Sequence, residues 1–405
     1  MNKNVPIQSA VSFLLSSAPT LSKETVPLTG ANGRVLAQDI LAAIDLPPFH
    51  RSAYDGFALH SSGTLSACGK APVHFRITGT IAAGDFCQEP LEKGCAVRIM
   101  TGAPLPEGAD CVINYERVTW TDQVLTLKDP LRPWENVDQK GDEIRSKTPL
   151  LEKGDLLAPI HSGLLASQGI DRVTVYRRPR AAVLSTGSEL LEPGSPLSAG
   201  KIYNSSLYVL RALLEQESCC VEDCLHAADD EETISKAILA LAGKNDLILT
   251  TGGASVGDKD YICSALKRAG AKILFSHVNM KPGSCCYGAK LKESLIISLS
   301  GNPGAALTAW YLIALPVVRK LSGRRCYTLP ESMLPLSDSC RKTCPCPRIL
   351  KGHTQAEGGT LRFVAHDGQR NGMQTSFLRM NALAILPPSD EPLPAGTMVR
   401  VLAVQ

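Results

Sequence analysis

No apolar run in the 405-residue sequence reaches the roughly 20 residues that a helix needs to cross a bilayer, so no helical membrane span is expected. An excess of charge of either sign is lacking too. A formal net charge of +3 leaves no broad basic surface for nucleic acid. None of the 14 cysteines forms a Cys-x-x-Cys pair, and the chain is large for a disulfide scaffold. The adjacent pairs Cys219-Cys220 and Cys285-Cys286 fall in strand-like segments and read as reduced, partly buried thiols. Cys340, Cys344 and Cys346 with His353 come nearest to a zinc set. Their spacing is irregular and stiffened by Pro345 and Pro347, so ordinary thiols are the expectation. The N-terminus lacks the unbroken apolar core of a signal peptide. Ile7, Val11, Leu14 and Leu15 instead stripe an amphipathic helix, and a cytoplasmic location is expected.

What is present is the composition of a globular chain, 44% hydrophobic and 20% charged, long enough for roughly two to four domains. The start reads as helical and then mixed, and Pro47-Pro48 marks a boundary. Residues 73–128 run through short strands and turns, the pattern of a small all-β domain. Mixed segments flank it. This predicts a discontinuous mixed α/β domain, residues 1–45 and 142–178, carrying an inserted β-domain at 46–141. From Arg180 strands and helices alternate, which predicts a central, mainly parallel α/β sheet domain over 179–325. Its last helix is expected from about Ala305 to Leu321, bent at Pro316. Strands return after Pro330, and residues 326–405 are expected to form a C-terminal β-barrel. The fold class is thus α/β plus all-β, multidomain.

Residues 245–270 organise the rest. Asp246 to Thr251 is an apolar run of strand length. Gly252, Gly253, Ser255 and Gly257 then make a loop whose backbone can approach a ligand closely. Ile262, Ala265, Leu266 and Ala269 follow at helical spacing, with Gly270 at the C-cap. Strand, glycine loop and helix N-terminus together suit an anion, and Asp258 and Asp260 bring carboxylates to it. The blander reading is a tight turn with an aspartate cap.

Ligands of such sheets bind beyond the C-terminal ends of the strands. The loops that gather there carry Glu189, Asp229, Asp260, Lys281 and Asn302. Three carboxylates, a lysine and several glycines at one rim suit a metal-bound phosphoanhydride. Taken alone, Asp229 reads as the cap of the next helix, with Glu232 at the capping-box position, and Lys281 as solvated surface. In the β-rich part, Asp55-Gly56 is a turn pair, and Thr101-Gly102 enter a loop stiffened by Pro104 and Pro106. Each is a rigid connection or a ligand clamp.

Six motifs then fall in one order: SAYDGFA (52–58), RIMTGAPLPEGAD (98–110), STGSEL (185–190), TTGGASVGDKDY (250–261), MKPG (280–283) and SGNPG (300–304). In order and spacing they resemble the molybdopterin molybdenumtransferase family, which includes MoeA and the E domain of gephyrin, and the resemblance covers nearly the whole chain. It implies that the central sheet is of the molybdopterin-binding type. It implies substrates, adenylylated molybdopterin and molybdate, and a reaction in which molybdenum enters the dithiolene and AMP leaves with Mg²⁺ present. It also implies a homodimer, with the inserted β-domain of one subunit helping to build the site on the other, and contact with a molybdopterin adenylyltransferase.

Carried over by motif, Asp55 and Thr101 belong to the contributed clamp, and Glu189, Asp229, Asp260 and Lys281 to the sheet rim. Gly252, Gly253, Ser255, Gly257 and Asn302 become ligand-binding positions, and Ser376, in QTSF, matches a C-terminal serine of the family. Mg²⁺ then falls to Asp229 and Asp260, an oxyanion to Lys281, and substrate orientation or a proton to Glu189. Several positions depart from the family. Ser188 replaces an aspartate, and His277 stands where a lysine often precedes MKPG. Asp138 and Gln139 stand where arginine is frequent, Asp142-Glu143 reverses the usual pair, and Ser300, Gly304 and Ala305 alter PGNPVS. Positive charge is thereby reduced at the anion site. Two alternatives remain beside the transferase: a catalytically weakened molybdopterin-binding paralogue or dimeric scaffold, and nucleotidyl transfer by the α/β domain.

Overall fold

The computed structural model describes residues 2–253 and 261–404. The chain divides into two compact units: residues 39–152 with 159–171, and residues 1–38, 153–158 and 172–405.

The larger unit is built on a seven-stranded sheet. Its strands are β1 (Asn2–Val5), β2 (Arg180–Thr186), β3 (Cys220–Ala227), β4 (Leu247–Thr251), β5 (Lys272–Val278), β6 (Tyr287–Leu291) and β7 (Ser294–Leu299). Their spatial order is β1-β5-β6-β7-β4-β2-β3. β4 and β7 are buried along their whole length, as expected of apolar runs covered on both faces. Successive residues feed opposite cores. Val183, Leu249 and Ile297 pack on one side, and Leu184, Ile248 and Ile296 on the other.

The sheet is mixed. Four pairings are parallel, β1-β5, β7-β4, β4-β2 and β2-β3, and two are antiparallel, β5-β6 and β6-β7. The reason is local: only Lys292-Glu293 join β6 to β7, too short for anything but an antiparallel return. β1 is a second difference from expectation. The first residues form an edge strand beside β5 before helix α1 (Ile7–Ser17) begins. The α1 stripe does turn inward, burying Ala10 and Leu14.

Helix α2 (Ser205–Gln216) joins the first core through Leu207, Leu210 and Leu214. Helices α3 (Glu231–Leu241) and α4 (Tyr261–Arg268) cover the other face. α4 ends in a Schellman motif. Gly270, at φ +76°, donates to Lys267 O, and Ala271 N donates to Leu266 O. The run expected to bend at Pro316 is α5 (Pro303–Ala309), a π-helical turn (Trp310–Ala314) and α6 (Leu315–Leu321). Pro316 has no N–H to donate and its ring crowds the Leu312 carbonyl, so the wider turn falls just ahead of it. By length and composition alone Pro303–Leu321 could cross a membrane, but it is mostly buried in the core.

The C-terminal segment is a five-stranded antiparallel sheet, ordered Glu331–Pro335, Met398–Ala403, Ala382–Leu386, Arg348–Glu357, Thr360–Ala365. It curls far enough that Leu336, just past its first strand, forms a bridge with Phe363 in the strand at the opposite edge. The smaller unit holds a six-stranded sheet ordered Cys111–Asn114, Gly56–Leu59, Cys95–Ile99, Val73–Ile81, Val124–Leu127, Thr119–Trp120. Phe57, Leu59, Phe75, Ile113 and Leu125 fill one of its faces.

Candidate active site

β2, β3, β4 and β7 are parallel and end at one sheet edge. A cleft of about 340 Å³ opens there. Glu189, Asp229, Gly252, Gly253 and Asn302 all line it, so five of the expected residues meet in one place. The glycines explain how three loops come so close. A Cβ on Gly252, at φ +94°, would overlap the Thr186 carbonyl oxygen, and one on Gly301 would lie 3.2 Å from the Gly252 Cα. Thr251 Oγ1 also donates to Ser300 O at 3.1 Å. The glycines serve loop-on-loop packing first, and ligand approach through it.

Asp229 is not the helix cap. That position belongs to Asp230, whose carboxylate accepts from Thr233 N at 2.8 Å and from Thr233 Oγ1 at 2.7 Å. Both bonds hold the Asp230 pKa below its ordinary value, the side-chain bond most. Asp229 accepts from Ser188 N at 3.2 Å, and its own N–H donates to Ser188 Oγ at 3.4 Å. Asn302 also lines the cleft; it precedes α5, and its side chain makes no capping bond there.

Two groups beside the cleft escaped the sequence reading. Thr186 Oγ1 is buried in its wall without a hydrogen-bond partner. An orphaned hydroxyl of this kind calls for a ligand or water. Lys201 Nζ donates to Ser188 O at 2.6 Å and brings a cation to the residue that precedes Glu189. Its position follows from the ribbon Leu190–Leu191 with Ile202–Tyr203, a pairing with no local signature. Glu189, Asp229 and the Thr186 hydroxyl are hard oxygen donors, a set that fits a hard divalent cation. Among the described residues no group of three or more His, Cys, Asp or Glu side chains converges for a metal. Asp260, the other expected ligand, and Ser255 and Gly257 lie outside the described residues. Cys340, Cys344, Cys346 and His353 therefore form no zinc set; His353 Nδ1 lies 3.2 Å from His366 Nε2 instead.

Lys281 and Ser376 do not line this cleft. Lys281 is exposed, and its backbone is tied to the C-terminal segment: N–H to Pro347 O at 2.9 Å, carbonyl from Ile349 N at 2.8 Å. Ser376 is buried and donates from Oγ to Met373 O at 2.7 Å. Its segment reaches the start of α5, where Gly304 N donates to Asn371 O, and α2, where Gln374 bonds Ser205 Oγ.

In the smaller unit, Gly56 pairs with Ile99 across antiparallel strands, which sets Asp55 beside Thr101. Asp55 Oδ1 accepts both Thr101 N, at 2.7 Å, and Thr101 Oγ1, at 2.8 Å. These bonds, the backbone one first, hold its carboxyl below the ordinary value. Asp138, one of the departures, accepts from Arg51 Nε at 3.0 Å.

Two family models match the chain: the MoeA N-terminal region (domain I and II) over residues 5–169, and a probable molybdopterin binding domain over residues 182–320. The chain is 31% identical over 403 residues to the molybdopterin molybdenumtransferase of Staphylococcus epidermidis (strain ATCC 35984 / RP62A), covering 99% of this chain and 96% of that protein. It is 31% identical over 402 residues to the same-named protein of Staphylococcus aureus (strain COL), with equal coverage. Among solved structures, a molybdopterin biosynthesis MoeA protein from Pyrococcus horikoshii superposes with a TM-score of 0.84 at 28% identity, over 99% of both chains. A second MoeA structure, from P. horikoshii OT3, gives 0.83 at 26%, over 99% of this chain and all of that one.

Proposed function

The chain belongs to the molybdopterin molybdenumtransferase (MoeA) family and is a transferase of molybdenum cofactor biosynthesis; on that premise we propose that it inserts molybdenum from molybdate into adenylylated molybdopterin and releases AMP, with Mg²⁺ as cofactor. The observation that supports this most is the cleft in which Glu189, Asp229 and Asn302 meet an orphaned Thr186 hydroxyl.

Asp229, with Asp260, would hold Mg²⁺, which when bound offsets phosphate charge. The Ser188 N–H keeps the Asp229 carboxylate turned to the cleft. Glu189 orients the substrate or moves a proton at the rim. Gly252, Gly253, Ser255, Gly257, Asn302 and Ser376 bind the pterin and its phosphate, and Lys281 gives a point charge to molybdate. The working form is a cytoplasmic homodimer, in which Asp55 and Thr101 of one subunit clamp the ligand of the other. An adenylyltransferase of the same pathway delivers the substrate.

The test supplies purified protein with adenylylated molybdopterin, Mg²⁺ and molybdate, and follows AMP. Molybdate-dependent AMP release is expected. Ligand retention without AMP would overturn the reading in favour of a weakened paralogue or scaffold. One observation favours that second reading: Asp138 engages Arg51 in an ion pair and so occupies a cation near the clamp. Turnover of ATP with free molybdopterin would point to nucleotidyl transfer instead.

A further inference from the structure

We propose that Cys344 and Cys346 are a redox-active dithiol that closes to a disulfide by exchange with a low-molecular-weight disulfide, and that closure shifts the backbone anchoring Lys281. In Cys344-Pro345-Cys346-Pro347 each proline fixes its own φ and holds its predecessor out of the helical region, and the chain bends at Pro345 and Cys346. Across this bend the two thiols lie 3.5 Å apart in mutual hydrogen-bond contact. Both are free, Cys344 buried and Cys346 half-buried.

The two ends of the dithiol are held differently. Cys344 exchanges a pair of backbone hydrogen bonds with Ser389, at 3.0 and 2.9 Å, and is pinned. Cys346 leads through Pro347 to the hydrogen bonds that hold Lys281. A disulfide needs the sulfurs about 2.05 Å apart, so roughly 1.5 Å must be closed. The pinned side resists, and the movement falls on Cys346, Pro347 and through them Lys281. Pro345 stiffens the small ring, so the disulfide is strained and readily reduced, the property of a regulatory rather than a structural bridge.

In the step itself, the Cys346 thiolate attacks one sulfur of the small disulfide and expels one thiolate. The Cys344 thiolate then attacks the Cys346 sulfur and expels the second. The protein loses two protons and two electrons, and the small disulfide becomes two thiols. Burial, and then the bond with Cys344, push the Cys346 thiol up to about 11, with Lys281 opposing, so exchange at neutral pH is slow. Equilibrium is therefore the quantity to measure.

The full chain is equilibrated anaerobically in mixtures of glutathione and glutathione disulfide, acid-quenched, alkylated and cut with trypsin. Cleavage after Lys342 and Arg348 releases residues 343–348, which carry both thiols and no other cysteine. As the mixture becomes oxidising, this peptide is expected to lose both alkyl groups together and appear two hydrogens light. Reductant restores it. In Cys346→Ser, Cys344 should stay alkylatable throughout, and Cys340→Ser should behave as wild type. A peptide that stays doubly alkylated at every ratio, or carries only glutathione, overturns the proposal, as does pairing of Cys344 with Cys340. The consequence for Lys281 rests on its proposed role toward molybdate. Oxidised wild type should need about fivefold more molybdate for half-maximal AMP release, while Cys346→Ser is indifferent to the mixture. A formed disulfide with unchanged molybdate dependence removes the coupling; absence of AMP in the fully reduced protein would instead indict the transferase reading.

Discussion

Ser188 and Asp229 hold each other by two hydrogen bonds that cross between the loops after β2 and β3. Serine thus fills the aspartate position of the family with a partner for Asp229 rather than a second carboxylate. Because Asp230 caps α3, Asp229 carries no structural duty there. Function and stability should therefore separate at neighbouring residues. Asp229→Asn should lower AMP release about 100-fold, roughly 2.7 kcal/mol in the barrier, with the urea midpoint unchanged. Asp230→Ala should cost about 1 kcal/mol of stability and leave AMP release near wild type. Reversed outcomes would return Asp229 to the role of a cap.

Gly252 tests whether loop packing builds the cleft. Any side chain there meets the Thr186 carbonyl and must also adopt a φ of +94°. Gly252→Ala should cost at least about 2 kcal/mol in urea unfolding. Gly243 has a similar φ of +88°, but a Cβ there meets only the Lys292 side chain at 3.7 Å. Gly243→Ala should cost about 1 kcal/mol. Equal costs would mean that backbone strain, not the Thr186 contact, demands glycine at 252.

These contrasts show which parts of the molecule were legible in the sequence. Buried strands read clearly because both faces of Leu247–Thr251 and Ser294–Leu299 are apolar, and α4 because its stripe and Gly270 agree. Glu189, Asp229 and Asn302 could be brought to one rim because parallel strands end together. What failed depended on tertiary pairing. Asn2–Val5 is a strand only because β5 offers it an edge, and Lys201 reaches Ser188 only through a two-residue ribbon. The cap slipped by one residue because Asp229 and Asp230 are chemically alike, and only the turn geometry chooses between them. Lys281 shares a motif with the family, and its backbone pairs with Pro347 and Ile349, which do not line the Glu189 cleft, whereas the Ser376 segment reaches the rim of that cleft through the bond from Gln374 to Ser205.

Lys201 should matter to binding more than to chemistry. Its ammonium is fixed against the Ser188 carbonyl, one residue from Glu189. Lys201→Met should raise KM for adenylylated molybdopterin several-fold with kcat little changed. The effect should shrink with added salt, since a half-exposed charge is screened within about 8 Å at physiological ionic strength. A kcat loss at constant KM would place Lys201 in the chemical step.

Glu217 ends α2 and joins Arg319, at 3.0 Å, and Arg324, at 2.8 Å, in a buried cluster. Burial holds the Arg324 guanidinium below its ordinary pKa, with Glu217 opposing that effect. Removing the carboxylate leaves two cations facing each other out of water. Glu217→Gln should therefore cost roughly 3–5 kcal/mol, read from urea unfolding of the full chain. A cost under about 1 kcal/mol would mean that water already screens the cluster.

The Asp55–Thr101 pair gives a test that turns on pH. Thr101 stabilises the ionised carboxylate, so the folded pKa lies below the ordinary aspartate value. The unfolded chain then binds the proton more readily than the folded one, and stability rises with pH across that interval. The contribution is complete above the unfolded pKa of about 3.9 and is lost as pH falls through the depressed folded value. Asp55→Asn keeps an oxygen to accept from Thr101 but carries no charge. The difference in urea midpoint between wild type and Asp55→Asn should thus be larger at pH 7 than at pH 3. A difference that does not change over that range would mean that the carboxylate charge plays no part in holding Thr101, and that the clamp is a neutral turn.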